Sequence, residues 1–234
     1  MISPAARHWS QAQPVVLPRV DAVAQTAELE PSLEEDWSAE REFRLIKIKL
    51  ADDVRRLSAI RSRQRANEVK RELLPSYQDY CQLAINRHEP RNDPVLNRLC
   101  VWHFDLGEFQ IGLVLAEAAL SAFMTKPGGY RHTLAPDGFK RSLAEVLTEI
   151  LADAVLKSTE PSAYEGYVLK LAELVRSHDM TDPVTAKLHR ARALVLMEND
   201  PKAALFHWKE AYALRPLSAI AKRIKRLEQQ LESL

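Results

Sequence analysis

Nuclease-type hydrolysis needs carboxylates that converge on one or two divalent metals, or a histidine base beside them. Three places in this 234-residue sequence carry those residue types: His103 with Asp105 and Glu108, His132 with Asp137, and His178 with Asp179 and Asp182. None has a diagnostic spacing. His103 and Asp105 are two positions apart, so on a helix they diverge, and they meet only if Asp105 has already entered a turn. Asp105-Leu106-Gly107 reads as a helix stop, and His178-Asp179 reads as a loop before a helix capped by Asp182. His189 and His207 fall on helical faces as packing or surface residues, and Trp102 and Trp208 fall on apolar core positions. These patterns assign no catalytic residue and no metal ligand. If the chain were a nuclease, a divalent metal such as magnesium would be its cofactor; otherwise none is evident. A glycine-rich phosphate loop is absent, so the chain carries no ATP-hydrolysing motif. Cys81 and Cys100 belong to no CxxC or Cys/His cluster and read as buried free thiols.

The second feature is charge. The formal net charge is only +1, yet Arg41 to Arg71 holds eleven basic residues against four acidic ones, a surplus of seven. Arginine dominates, and its planar fork suits phosphate oxygens. The densest part offers Arg55, Arg56, Arg61, Arg63, Arg65, Lys70 and Arg71 as DNA-binding candidates. Composition alone supports two readings equally: a solvated basic helix whose charges pair with the acidic stretch at 28–36, or a nucleic-acid surface that neutralises phosphates and releases counterions. Lys222, Arg223, Lys225 and Arg226 form a smaller basic group, which is also simply favourable near a helix C-terminus. No helix-turn-helix or aromatic RNA-binding signature accompanies either group.

The elements that carry these residues read as helices throughout. Only six glycines occur, three of them between Gly128 and Gly138, and alternating β-branched runs are absent. The fold class is therefore all-α. Residues 1–37, rich in proline, read as a mobile arm. No proline or glycine interrupts the stretch from Ser38 to Leu74, which predicts one long basic helix ending at Pro75. Phe43, Ile46, Leu50, Leu57 and Ile60 form a seven-residue seam on it, broken by Asp53, that suits one partner helix within the chain or between chains. Shorter helices follow at about 76–88, 94–104, 108–124, 142–157, 162–177, 183–198, 202–214 and 217–232. One long irregular piece, Thr125 to Phe139, separates them.

Two segments resemble each other. "GEFQIGLVLAEAAL" from Gly107 and "NDPKAALFHWKEAY" from Asn199 align Gly112 with Ala204, Ala116 with Trp208 and Ala119 with Ala211. This looks like the second half of a tetratricopeptide repeat, in which small residues let two antiparallel helices approach. The architecture expected is a long N-terminal basic helix followed by an irregular α-solenoid of TPR-like hairpins. The domains are then 1–37 as the arm, 38–75 as the basic helix for DNA contact and oligomerisation, and 76–234 as the TPR-like helical domain.

"SPAARH" at Ser3, "KRELLP" at Lys70, "WHFDLGE" at Trp102, "AEAAL" at Ala116, "DMTDPVTAKLH" at Asp179, "DPKAAL" at Asp200 and "IKRLEQQL" at Ile224 come in a fixed order. Their order and spacing resemble the small terminase subunits of peduovirus-type tailed phages, commonly labelled terminase endonuclease subunits. The resemblance covers nearly the whole chain. It implies a DNA-packaging role: recognition of the packaging start site on duplex phage DNA, assembly as a homo-oligomer, and delivery of DNA to the large terminase ATPase subunit. The acidic piece at 28–36 looks like an extension, and no basic tail follows the last helix, which shifts the expected DNA contact onto the basic helix. The resemblance carries over no catalytic residue. Two alternatives stand beside DNA recognition: the chain itself cuts DNA as a metal-dependent endonuclease making cohesive ends, or it is mainly a TPR-like protein–protein adaptor. No apolar run reaches the ~18 residues of a membrane span, and the N-terminus lacks the apolar core of a signal peptide, so the expected location is the host cytoplasm without membrane attachment.

Overall fold

The computed structural model describes residues 33–87, 92–124 and 141–233. The arm expected at 1–37 lies almost wholly outside the described residues, as do the Thr125–Phe139 piece and the His132–Asp137 candidate. The contacts form two compact units, residues 1–40 and 41–234, and the core lies in the second. Every regular element among the described residues is helical.

α1 (Leu33–Ser58) and α2 (Arg63–Leu73) stand where one long helix was expected. The uninterrupted rod is therefore corrected to two helices with a break at 59–62. Neither proline nor glycine causes it. The Ser62 hydroxyl accepts the backbone N–H of Arg65 at 3.3 Å and starts α2 as its N-cap, and the Ser58 hydroxyl turns back to the Arg55 carbonyl at 2.7 Å. Serine side chains compete with helical backbone bonds, so two of them four residues apart can end one helix and begin the next. Pro75 acts as expected: it sits in the first turn of a 3-10 segment, Leu74–Tyr77, before α3 (Gln78–Ile85).

The expected seam of α1 is its packing face. Leu50 is buried, and Phe43, Ile46, Val54 and Leu57 pack partly buried against the core. Asp53, the residue that breaks the seam, is accommodated by polar partners. Lys49 pairs with it at 2.8 Å, and the buried Tyr77 donates its hydroxyl to the same carboxylate. Burial, then this neighbouring charge, pushes the Tyr77 hydroxyl well above its usual pKa.

α4 (Pro94–Leu106) begins on Asp93, which caps the amides of Val95 and Leu96, and ends on Gly107 at φ 77°. That left-handed cap suits glycine because no Cβ meets the carbonyl. α5 (Phe109–Met124) follows after two residues. Gly112 of α5 lies so close to α4 that a Cβ would fall 2.5 Å from the Phe104 ring. α6 (Leu143–Lys157) opens with a capping box between Ser142 and Glu145. A second 3-10 segment, Pro161–Tyr164, leads to α7 (Glu165–Leu174). α8 (Asp182–Val195), α9 (Pro201–Leu214) and α10 (Ser218–Glu232) complete the order.

The contacts run in sequence. α4 packs on α5 and α6, α6 on α7 and α8, α5 on α7, and α9 on α8 and α10. The small residues singled out in the two similar segments all face inward: Ala116, Ala119, Ala204 and Ala211 are fully buried. Trp102 and Trp208 are core residues as expected. Each large apolar side chain so buried contributes about 1.5–3 kcal/mol. Cys81 and Cys100 are free thiols; burial pushes Cys81 up to about 12 and Cys100 well above its ordinary value, so neither is a reactive thiolate.

Candidate nucleic-acid interface

The basic residues of α1 and α2 divide by their partners. Arg55 pairs with Asp52 on the exposed face of α1. Arg65 pairs with Glu68 at 3.0 Å, and Arg56 reaches Glu72 of α2 at 3.8 Å. These are exposed pairs, which solvent screens and which contribute little to stability. Their guanidiniums keep free N–H groups. Arg61, Arg63 and Arg71 are exposed and make no ion pair among the described residues. Arg61 lies in the break itself and Arg63 begins α2, so the Ser62 cap fixes the backbone between two guanidiniums that pair with no described acid.

Lys70 is placed differently from the other six candidates. Its ammonium meets the Asp105 carboxylate at 2.7 Å, with 14% of the lysine side chain exposed. Asn67, one turn earlier, donates to the Asp105 carbonyl at 3.5 Å. This face of α2 is docked on the end of α4.

The first histidine–carboxylate candidate is only partly assembled. His103 Nδ1 and Glu108 Oε2 meet at 2.7 Å across the turn between α4 and α5. Asp105 does not join them, because Lys70 holds it. His178 lies in the loop before α8, half-buried, and burial lowers its pKa; Asp179 and Asp182 beside it are exposed. Among the described residues, no group of three or more histidine, cysteine or acidic side chains is placed to hold a metal ion. Within the described residues, therefore, no set of side chains fits a metal-centred nuclease site.

One constellation escaped the sequence reading. His189 of α8 and His207 of α9 face each other, Nδ1 to Nδ1, at 3.0 Å. Burial, with the nearby Arg192 and His189, brings His207 down to about 4, so the ring is neutral at physiological pH. The signal was present: Ala204, His207 and Ala211 stand three and four residues apart, which puts His207 on the stripe that faces α8.

A groove of about 440 Å³ runs between α5 and α7, lined by Leu113, Val114, Ala163, Gly166 and Tyr167 among others. Glu117 and Lys170 bridge it at 2.9 Å. No helix among the described residues is long and apolar enough to cross a membrane.

Comparison with known proteins sets this geometry in a family. Residues 47–183, which run from α1 to the start of α8, match the model of the phage small terminase subunit. The chain is 32% identical over 186 residues to the terminase, endonuclease subunit of Escherichia phage P2, a match covering 79% of this chain and 72% of that protein. No solved structure matches. The exposed arginines of the α1–α2 corner thus sit in a chain with a phage DNA-packaging role, and on both matches it belongs to the phage small terminase subunit family.

Proposed function

We propose that this chain binds duplex phage DNA at the packaging start site, assembles as a homo-oligomer in the host cytoplasm, and passes the DNA to the large terminase ATPase subunit. The observation that carries the reading is the α1–α2 corner. Arg61 and Arg63 flank a fixed serine cap, exposed and without acidic partners among the described residues, and Arg71 lies two turns further along α2. Arg55, Arg56 and Arg65 add cations held only by screened surface pairs, which exchange readily for phosphate. Lys70 is left out of this contact. Leu45 and Ile48, exposed one turn apart on α1, supply an apolar face on which a second copy can pack.

The rest of the body supports the delivery step. Consecutive hairpins that contact one another in order are the packing expected of a TPR-like solenoid, and the α5–α7 groove suits a helix or peptide of the ATPase subunit. Cleavage by the chain is the second reading. The P2 relative carries "endonuclease" in its name. Of the residues placed here, His103 and Glu108 supply one histidine and one carboxylate, and Asp105 is withheld by Lys70, so recognition is the better-supported role.

Fluorescence-anisotropy titration of the full chain with duplex DNA tests the reading. R61E/R63E weakens binding tenfold or more, with a smaller salt dependence. Unchanged affinity overturns the proposed corner.

A further inference from the structure

The C-terminal helices hold a second concentration of positive charge. α10 presents Lys222, Arg223, Lys225 and Arg226, all exposed, within two turns. None makes an ion pair among the described residues, and the nearest acid on the helix, Glu228, is held by Lys209 of α9 at 2.7 Å. Arg215, which ends α9, is exposed and likewise unpaired. Arg223 lays its guanidinium 5.2 Å from the centre of the Trp208 ring. Trp208 is only 2% exposed, yet its indole N–H has no acceptor among the described residues. The buried Nε–H of Arg190, on α8, has none either.

Buried donors without acceptors forfeit the hydrogen bonds they make in water, and folded proteins rarely leave them so. Here they lie among like charges. Arg190 is pushed below its usual pKa by burial and then by the charges of Arg215 and Arg223. Asp153 of α6 faces it, but that carboxylate is held by Lys187 at 2.8 Å. Arg192 also has a buried, unpaired Nε, but its charge acts on the His189–His207 pair. Three helices therefore contribute guanidiniums and an indole donor to one region, and among the described residues no carboxylate forms an ion pair with Arg190, Arg215 or Arg223.

We propose that Arg190, Trp208, Arg215 and Arg223 form a notch that receives a backbone phosphate of duplex DNA, with Lys222, Lys225 and Arg226 extending the contact along the duplex. A guanidinium fork donates to the two non-bridging oxygens of a backbone phosphate at once, and the indole N–H shares one of them. The four cations of α10 favour a polyanion over a lone carboxylate. A 15-residue helix is about 22 Å long, and duplex DNA carries one charge per about 1.7 Å of its axis. All four notch residues lie beyond residue 183, where the family match ends. The proposal rests on the DNA-binding reading above but uses different helices, so the two can fail separately.

The Trp208 indole N–H is the reporter. The full chain is labelled with ¹⁵N-tryptophan, W208F identifies the resonance, and short duplex DNA or poly-glutamate is titrated in. Duplex anisotropy on R215Q/R223Q runs in parallel; both residues are exposed, and circular dichroism confirms the fold. The indole resonance shifts with duplex DNA, and the variant binds duplex about tenfold more weakly, with a salt slope reduced by about two. A stationary resonance with undiminished variant affinity overturns the notch. A larger response to poly-glutamate than to duplex also overturns it and assigns the notch to an acidic protein partner. If R61E/R63E loses duplex binding and R215Q/R223Q does not, the notch alone falls. If the wild-type chain binds no duplex, both readings fall.

Discussion

Lys70 of α2 and Asp105 at the end of α4 hold each other at 2.7 Å, with 14% and 22% of their side chains exposed. The pair joins the basic segment to the core, so a charge that composition offers to DNA is spent inside the fold. K70A leaves a largely buried carboxylate without its cation and lowers stability by about 1–2 kcal/mol. Duplex affinity changes less than twofold. Urea unfolding and anisotropy on the same preparation check this. A large loss of affinity with unchanged stability would return Lys70 to the DNA surface.

Asp93 is the most committed carboxylate described, with 1% of its side chain exposed. One oxygen accepts the amides of Val95 and Leu96 at 3.0 and 3.1 Å, and the other takes the Tyr80 hydroxyl and the Arg87 guanidinium. D93A removes a helix cap and leaves a half-buried arginine unpaired. The expected cost is about 3–5 kcal/mol, which a thermal melt reads as a Tm lower by about 10 °C. A melt within 2 °C of wild type, on the same scale of about 2–4 °C per kcal/mol, would show that Arg87 and Tyr80 find other partners.

Much of this fold was legible because local signals and tertiary packing agree. Asp93-Pro94 starts a helix, Gly107 stops one, and the alanines at 116, 119, 204 and 211 face inward as their spacing required. The break at 59–62 is not legible because neither a proline nor a glycine marks it. Two serines did the work instead, through side-chain bonds that cost little to make or omit. The division of the basic residues was not legible at all. Lys70 and Asp105 are 35 residues apart, so nothing local distinguishes Lys70 from Arg71 beside it. Arg190, Trp208, Arg215 and Arg223 likewise come from three helices, with α9 packing on both α8 and α10. Within α10 the same cations looked like ordinary C-terminal charge.

Gly112 tests how closely α4 and α5 must approach. A methyl group there falls 2.5 and 2.7 Å from two carbons of the Phe104 ring. That ring is buried and packs edge-on against Phe109 at 5.5 Å, so it has little room to withdraw. G112A gains helix propensity of about 1 kcal/mol but forces overpacking of about 1–3 kcal/mol. The net expectation is a loss of up to about 2 kcal/mol in urea unfolding. G112A combined with F104L restores part of it, because the smaller side chain vacates the clash. A stabilised single variant would mean that the hairpin opens without penalty.

The His189–His207 pair makes stability depend on pH in a defined direction. With Nδ1 facing Nδ1 at 3.0 Å, one neutral ring donates and the other accepts. Burial is the main reason that His207 titrates at about 4 rather than 6.5, aided by the Arg192 charge and by His189. His189 is lowered too, by burial and then Arg192, with Glu210 opposing. The unfolded chain therefore takes up protons on these rings at a pH where the folded chain does not. Their contribution is fully present above about pH 6.5 and is lost as pH falls toward 4. For His207 alone the loss across that window is about 3 kcal/mol. H207N keeps a group that can bond to His189 but cannot titrate, so denaturation midpoints for the variant fall less steeply between pH 6.5 and 4. Parallel slopes for variant and wild type would show that the acid sensitivity arises elsewhere.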